Sequence, residues 1–203
     1  METRTSPPER HSRRQRLRGA TCRYWLLGLA CLAFGCGWAG AAANENAIDE
    51  YQLKALVIPK LVKYVDWPAS SFASTNAPIV IGILGQDPFG SKMDDAVKGD
   101  TAHDHKFTVK RLRADEEVES CHVLFVSRSE KERFQSVFNR VKGRPVLLVG
   151  DVSDFAEKGG MVALALANNN VKLEINQAVT EQAGLQISAK LLKLARIVQT
   201  QRN

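Results

Sequence analysis

The sequence predicts an α/β domain with a mixed, mostly parallel sheet of five or six strands. Helices cover both faces, and a C-terminal antiparallel hairpin lies at one edge. Apolar runs of strand length at 79–84, 121–126 and 146–149 indicate central strands covered on both faces. A helical apolar pattern between the last two runs completes a βαβ unit. Alternating apolar positions around the turn residues 168–170 predict the hairpin.

The first predicted helix spans residues 48–65, with a kink or break expected at Pro59. The Asp-Trp-Pro sequence at 66–68 ends it, since the residue before a proline avoids helical geometry. Its apolar stripe is expected to contain Leu53, Leu56, Val57, Lys60, Leu61 and Tyr64.

A glycine turn follows the first buried strand and leads into a second helix. Pro88 is well placed as the first residue of that helix, with Asp87 as its cap, and the helix should run to about Val97. Residues 106–112 alternate between apolar and polar and predict a half-exposed or edge strand.

The helix of the βαβ unit carries clear end signals. Ser129 and Glu132 match a capping box, and Gly143 ends the helix. The remaining elements are predicted in chain order as a short helix at 151–158, hairpin arms at 161–167 and 171–175, a helix at 176–183, and a last helix from Ser188 that carries Leu191, Leu194, Ala195 and Val198.

Residues 1–43 have the composition of a cleavable signal peptide, which leaves 44–203 as a single exported domain. An arginine-rich start is followed by an uncharged apolar run at 24–38 and by small residues at 39–43, with cleavage expected after Ala41 or Ala43. Three alternatives remain open: an uncleaved membrane anchor, a twin-arginine signal at 12–17, or a lipoprotein signal ending at Cys36.

The charge balance argues against a nucleic-acid partner. The net charge is +6, but seven arginines and two glutamates precede Asn44, leaving 21 basic and 20 acidic residues in the rest of the chain. A domain this close to neutral has little overall field to attract phosphates.

The sequence predicts no cofactor, no metal site and no catalytic centre. Cys121 is the one cysteine after the leader, and its apolar setting favours an inert buried thiol. His122 adjoins it on the predicted strand, so the two side chains should point to opposite faces. His103 and His105 on alternate loop residues do not make a preformed metal site.

Loops that follow parallel strands form the crevice in which such sheets bind ligands. That position makes five residues candidates for ligand binding, namely Asp87, Phe89, Ser127, Arg128 and Glu130. Trp67, Pro68 and Phe72 follow the first helix and are candidates for contact with a partner. Packing of Trp67 and Phe72 against the sheet is the alternative.

Several short segments are spread over the whole mature region. They are YQLKA (51–55), YVDWP (64–68), GQDPFG (85–90), SCHVLFVSRSE (120–130), PVLLVGD (145–151), FA (155–156), GGM (159–161), VKLEIN (171–176), AGLQIS (183–188) and LLKLA (191–195). In this order and at these spacings they resemble the YfiR family of periplasmic regulators.

The resemblance implies a non-enzymatic periplasmic α/β domain, often dimeric, that represses an inner-membrane diguanylate cyclase by binding its periplasmic sensor region. Release of the cyclase would raise cyclic-di-GMP and favour biofilm. Well-known members carry paired cysteines in the mature domain, whereas this chain has Cys121 alone there, and one cysteine cannot form an internal disulfide. The alternative functions are control of another membrane receptor and sensing of a small ligand.

Overall fold

The computed structural model describes residues 49–113 and 116–200. The predicted signal segment at 1–43 lies outside the described residues. Among the helices that are described, none combines the length and the apolar character needed to cross a bilayer.

Helices and strands alternate along most of the chain. The helices are α1 (Glu50–Val62), α2 (Ser91–Val97), α3 (Phe134–Val141), α4 (Gln177–Gln182) and α5 (Ala189–Leu192). The strands are β1 (Val65–Asp66), β2 (Ile79–Leu84), β3 (Thr101–Ala102), β4 (His105–Leu112), β5 (Val123–Val126), β6 (Leu147–Gly150), β7 (Val162–Ala167), β8 (Asn170–Ile175), β9 (Gln186–Ile187) and β10 (Arg196–Ile197).

The main sheet has the order β10-β8-β7-β6-β5-β2-β4-β3. Neighbouring strands from β4 through β2, β5 and β6 to β7 are parallel, and β7 pairs with β8 as an antiparallel hairpin. The predicted mixed, mostly parallel sheet is therefore confirmed. The two-residue strands β3 and β10 extend it at its two ends, and β1 pairs separately with β9.

The three predicted central strands form the core of the sheet. Every side chain of β5 and β6 is buried, and so is every side chain of β2 apart from the half-buried Val80. Their continuous apolar sequences fit this position, because a parallel strand with helices on both faces meets no water on either side.

Helix α1 differs from its prediction in the side that it buries. It runs through Pro59 to Val62 without a break, and the buried packing of this turn offsets the backbone hydrogen bond that proline cannot donate. Leu56 and Lys60 of the predicted stripe are exposed, whereas Lys54, Ala55, Ile58, Pro59, Leu61 and Val62 are buried.

Two predicted helix starts are wrong. Asp87 Oδ1 accepts hydrogen bonds from the backbone N–H groups of Phe89 and Gly90, as a cap would, but Gly90 has a φ of 56° that interrupts helical geometry, so α2 begins only at Ser91. Ser129 does not cap a helix, because its hydroxyl accepts from the Gln86 N–H at 2.9 Å. Residues Arg128–Arg133 instead form a 3₁₀ turn that leads into α3.

The C-terminal predictions are partly corrected. Residues 151–158 form turns instead of a short helix. The helix predicted at 176–183 is α4, which Asn176 caps through a hydrogen bond from the Val179 N–H. The last predicted helix stops at Leu192, and the chain then forms β10, which pairs in parallel with β8. Leu194 of its supposed apolar stripe is 79% exposed.

Candidate functional site

Polar side chains from three segments converge where β5 and β6 end. Arg128 follows β5 and Asp151 follows β6, and the two strands are parallel neighbours with Val126 opposite Gly150. The first turns of α1 complete the group. This is the carboxyl edge of a parallel sheet, at which such folds bind their ligands.

Lys54 and Asp151 form a buried ion pair at the centre of this cluster. Lys54 Nζ lies 2.8 Å from Asp151 Oδ2, and the two side chains are 0% and 1% exposed. Glu50 lies one helical turn before Lys54 and binds the same ammonium, while the Tyr51 hydroxyl donates to Asp151 Oδ2 at 2.9 Å. Buried charges are costly unless they are paired and hydrogen-bonded, so each partner is needed to keep the others in place.

Arg128 links this buried pair to solvent. Its Nη2 donates to Glu50 Oε1 at 2.8 Å, and its Nε lies 3.3 Å from Asp151 Oδ2. The guanidinium also lies over the Tyr51 ring, 5.8 Å from the centroid. The Arg128 side chain nevertheless remains 55% exposed. The cluster therefore presents a cation at the surface in a fixed orientation.

The cluster shifts the pKa values of its members. Burial, followed by the hydrogen bond to the Asp151 carboxylate, raises the pKa of Tyr51 to about 12. Burial also pushes the pKa of Glu50 upward, but hydrogen bonds and charges from Lys54 and Arg128 outweigh it, so that pKa lies below its usual value. At neutral pH, Tyr51 is therefore a hydrogen-bond donor and Glu50 is ionised.

A cavity of about 490 Å³ opens beside Arg128 and Asp151. Its polar lining includes Glu50, Glu174 and Arg196, and β7 supplies apolar side chains. Arg196 is bound to Glu174 at 2.7 Å. Asp151 Oδ1 is buried and accepts no hydrogen bond from the described residues.

The predicted ligand residues fall into different environments. Arg128 belongs to the cluster, and Ser127 is buried directly before it. Phe89 is 1% exposed and packs edge to face against Tyr51 of the cluster, with the two ring centroids 5.6 Å apart. Asp87 is bound to Arg111 at 2.9 Å. Glu130 packs against the Gly85 turn, where an added Cβ would lie 2.7 Å from its Cγ.

The predicted partner residues lie at the opposite, amino-terminal end of the parallel strands. Trp67 is half-buried, and its indole N–H donates to the carbonyl of Pro145, just before β6, at 3.1 Å. Pro68 is also half-buried. The Phe72 ring stacks between His105 and His122, with centroid distances of 4.1 and 4.7 Å. Trp67 and Phe72 thus pack against the sheet while part of each remains accessible.

Cys121 and His122 occupy separate environments. The Cys121 thiol is buried, and burial raises its pKa. Both ring nitrogens of His122 contact backbone groups, Val80 N–H at 3.1 Å and the Ser71 carbonyl at 3.1 Å. Among the residues that the structure describes, no group of three or more His, Cys, Asp or Glu side chains is arranged to hold a metal.

Sequence reasoning missed Glu50, Tyr51, Lys54 and Asp151. Two signals could have found them. Lys54 stands four and seven positions before the apolar residues Ile58 and Leu61, so a lysine occupies the buried face of a helix. Asp151 directly follows a buried parallel strand, the position at which these sheets place functional side chains.

A comparison with protein families finds a match that covers most of the described domain. The family model described as YfiR/HmsC-like matches residues 51–196. The matched region contains Tyr51, Lys54, Arg128 and Asp151 of the cluster, together with the Trp67–Phe72 region.

Proposed function

The chain belongs to the YfiR/HmsC-like family, and from this membership we propose that it is a non-enzymatic periplasmic regulator of a membrane signalling enzyme. The regulated enzyme is a diguanylate cyclase, and the protein represses it by binding its periplasmic sensor region. Loss of the protein then raises cyclic-di-GMP and favours biofilm.

The orientation of Arg128 is the observation that carries the binding role. Glu50 and Asp151 bind its guanidinium through Nη2 and Nε, while more than half of the side chain remains exposed. A cation fixed in this way loses little conformational freedom when it binds a carboxylate or a carbonyl of a partner. The site is suited to recognition by contact.

Trp67, Pro68 and Phe72 provide a second contact region in this proposal. They lie at the opposite end of the parallel strands from Arg128, so one partner would have to span the domain to meet both regions. A second copy of the chain at one of the two regions would leave the other for the membrane protein, which is compatible with a homodimer.

Repression by binding requires a difference in affinity between two states of the partner. A regulator that binds the inactive state of the sensor more tightly shifts the equilibrium toward that state, and only by that difference. A tenfold preference corresponds to about 1.4 kcal/mol.

Capture from solubilised inner membrane tests the proposal. We expect the immobilised exported form to retain a diguanylate cyclase through its periplasmic region. The Arg128→Ala variant should retain much less, while Arg133→Ala, an exposed arginine on the next turn, should behave as wild type. Recovery of another receptor would replace the cyclase in the proposal, and recovery of no membrane protein above background would contradict repression by contact.

A small-ligand sensor is the second candidate, and the cavity of about 490 Å³ beside Arg128 favours it. In this version Ser127, Arg128 and Glu130 would bind the ligand directly or position it, and Asp87 and Phe89 would support the neighbouring turn. A thermal-shift screen of small metabolites distinguishes the two, because a ligand that binds only the folded state raises the melting temperature. The Arg128→Ala variant should lose such a shift.

A further inference from the structure

Two histidines fasten the segment that precedes β2 to the amino-terminal edge of the sheet. His122 Nε2 lies 3.1 Å from the carbonyl oxygen of Ser71, and His105 Nδ1 lies 2.6 Å from the carbonyl oxygen of Ala77. The Phe72 ring is stacked between the two imidazoles. Residues 71–77, here termed the latch segment, are thus held at both ends and in between.

The hydrogen bonds of His122 fix its protonation state. The backbone N–H of Val80 donates to Nδ1 at 3.1 Å, so Nδ1 must offer a lone pair. Nε2 must then carry the proton that it donates to Ser71. Only the neutral imidazole satisfies both bonds, because a proton on Nδ1 would face the proton of the Val80 N–H.

His105 differs from His122 in this respect. It donates from Nδ1 to the Ala77 carbonyl, and this bond survives when Nε2 takes up a proton. The bond of His105 therefore does not require one charge state of the ring, whereas the two bonds of His122 do.

Two charged side chains of the described part of the chain line a cavity of about 240 Å³ together with His122. They are Glu119 and Arg144, and the Glu119 carboxylate is bound to Arg140 at 3.1 Å. Burial lowers the pKa of His122, the bond to Ser71 raises it, and a charge on His105 lowers it. The net pKa is below its ordinary value, so the neutral form predominates at neutral pH.

We propose that the latch segment is a proton-controlled element, released from the sheet when His122 becomes protonated. Protonation removes the acceptor for the Val80 N–H and turns the ring away from Ser71, so Phe72 loses its place between the imidazoles. The stability from this contact is complete above the usual histidine pKa of about 6.5. It decreases as the pH falls below that value, and the loss is complete once the pH has fallen through the lower pKa of folded His122. Acid then exposes Phe72 and loosens the segment that follows Trp67.

Hydrogen exchange read by mass spectrometry tests this directly on protein expressed from the full-length chain. Protection is compared at about pH 7.5 and about pH 5, either side of the usual histidine value of about 6.5, after correction for the intrinsic rates. We expect residues 69–80 to lose protection about tenfold at the lower pH, while β5 and β6 remain protected. Equal corrected protection at both pH values would overturn the proposal.

Two variants assign the effect to His122. Asn at position 122 keeps an acceptor near Nδ1 but does not titrate, so His122→Asn should give equal protection of the latch segment at both pH values. His103→Gln changes an exposed histidine that lies 3.9 Å from Asp66, and it should keep the wild-type response. A response that persists in His122→Asn, or that vanishes in His103→Gln, would refute the assignment.

NMR of the wild-type imidazoles provides a measurement that does not depend on how the variants fold. His122 should be the Nε2–H tautomer at neutral pH and should titrate below the ordinary histidine range. Observation of the Nδ1–H tautomer, or titration at or above that range, would contradict the latch.

Discussion

Replacing Lys54 by methionine removes the central charge of the buried cluster at nearly constant side-chain length. Lys54 is 0% exposed, and its loss leaves the Asp151 and Glu50 carboxylates without their shared ammonium partner. Removing one member of a buried ion pair typically costs about 3–5 kcal/mol. Because Tyr51 and Arg128 still bind these carboxylates, we expect the lower end, about 3 kcal/mol.

Urea unfolding at neutral pH measures this loss. The midpoint should fall with little change in the slope of the transition, since the folded state retains its compactness. Lys60→Met on the exposed side of the same helix is the matched control, and it should change the free energy of unfolding by no more than about 0.5 kcal/mol.

A double-mutant cycle separates the ion pair from simple loss of packing. Asp151→Asn alone should also destabilise the protein, and the double variant Lys54→Met/Asp151→Asn should lose less than the sum of the two, with a coupling of about 1–3 kcal/mol. A cost below about 1 kcal/mol for Lys54→Met, together with additive effects in the cycle, would refute the buried-pair description.

Three further predictions concern single residues, namely Tyr51, Gly82 and Cys121. In an alkaline titration followed by tyrosinate absorbance, one group should ionise near pH 12, and Tyr51→Phe should remove that phase. The stability that Tyr51 contributes is complete below about pH 10, and it is lost as the pH rises toward the raised pKa of folded Tyr51. Gly82→Ala should lower the free energy of unfolding by about 1–3 kcal/mol, because the added Cβ would lie 2.5 Å from Cys121 Sγ. In a Cys121→Ala protein the same substitution should cost less. An equal cost with and without Cys121→Ala would locate the clash elsewhere. The Cys121 thiol should react with disulfide reagents far more slowly in the folded than in the unfolded protein, since burial raises its pKa, and fast reaction of the folded form would contradict that burial.

The sheet was predictable from sequence because its central strands must be apolar at every position. Any polar side chain in β5 or β6 would be buried in the core, so these strands are apolar throughout and their apolar runs identify them directly. The two-residue strands β3 and β10 carry no comparable pattern, because only their neighbours determine that they pair.

The ends of the helices were less predictable, because a side chain that could cap a helix can also form hydrogen bonds with other groups. Asp87 has the sequence position of a helix cap, yet its carboxylate closes a turn and binds Arg111, which sequence reasoning could not foresee. Ser129 similarly binds a backbone N–H of the neighbouring strand-to-helix turn. The Asp87–Arg111 and Ser129–Gln86 contacts both join segments that are distant in sequence.

The candidate site was predictable in position and only partly in composition. The place of Arg128 follows from the rule that loops after parallel strands form binding crevices. Lys54 was not included in the predicted buried stripe of α1, because the apolar residues Leu53, Leu56 and Val57 suggest a different one. Burial of Lys54 becomes intelligible only when Asp151 is known to lie opposite.

Intracellular cyclic-di-GMP measured in four strains of the source organism tests the central claim most directly. The strains lack the gene or carry it as wild type, Arg128→Ala or Arg133→Ala, with protein levels matched. We expect cyclic-di-GMP to rise on deletion, to return to its basal level with wild type and Arg133→Ala, and to stay high with Arg128→Ala. An unchanged level on deletion, or full repression by Arg128→Ala, would contradict regulation through this site.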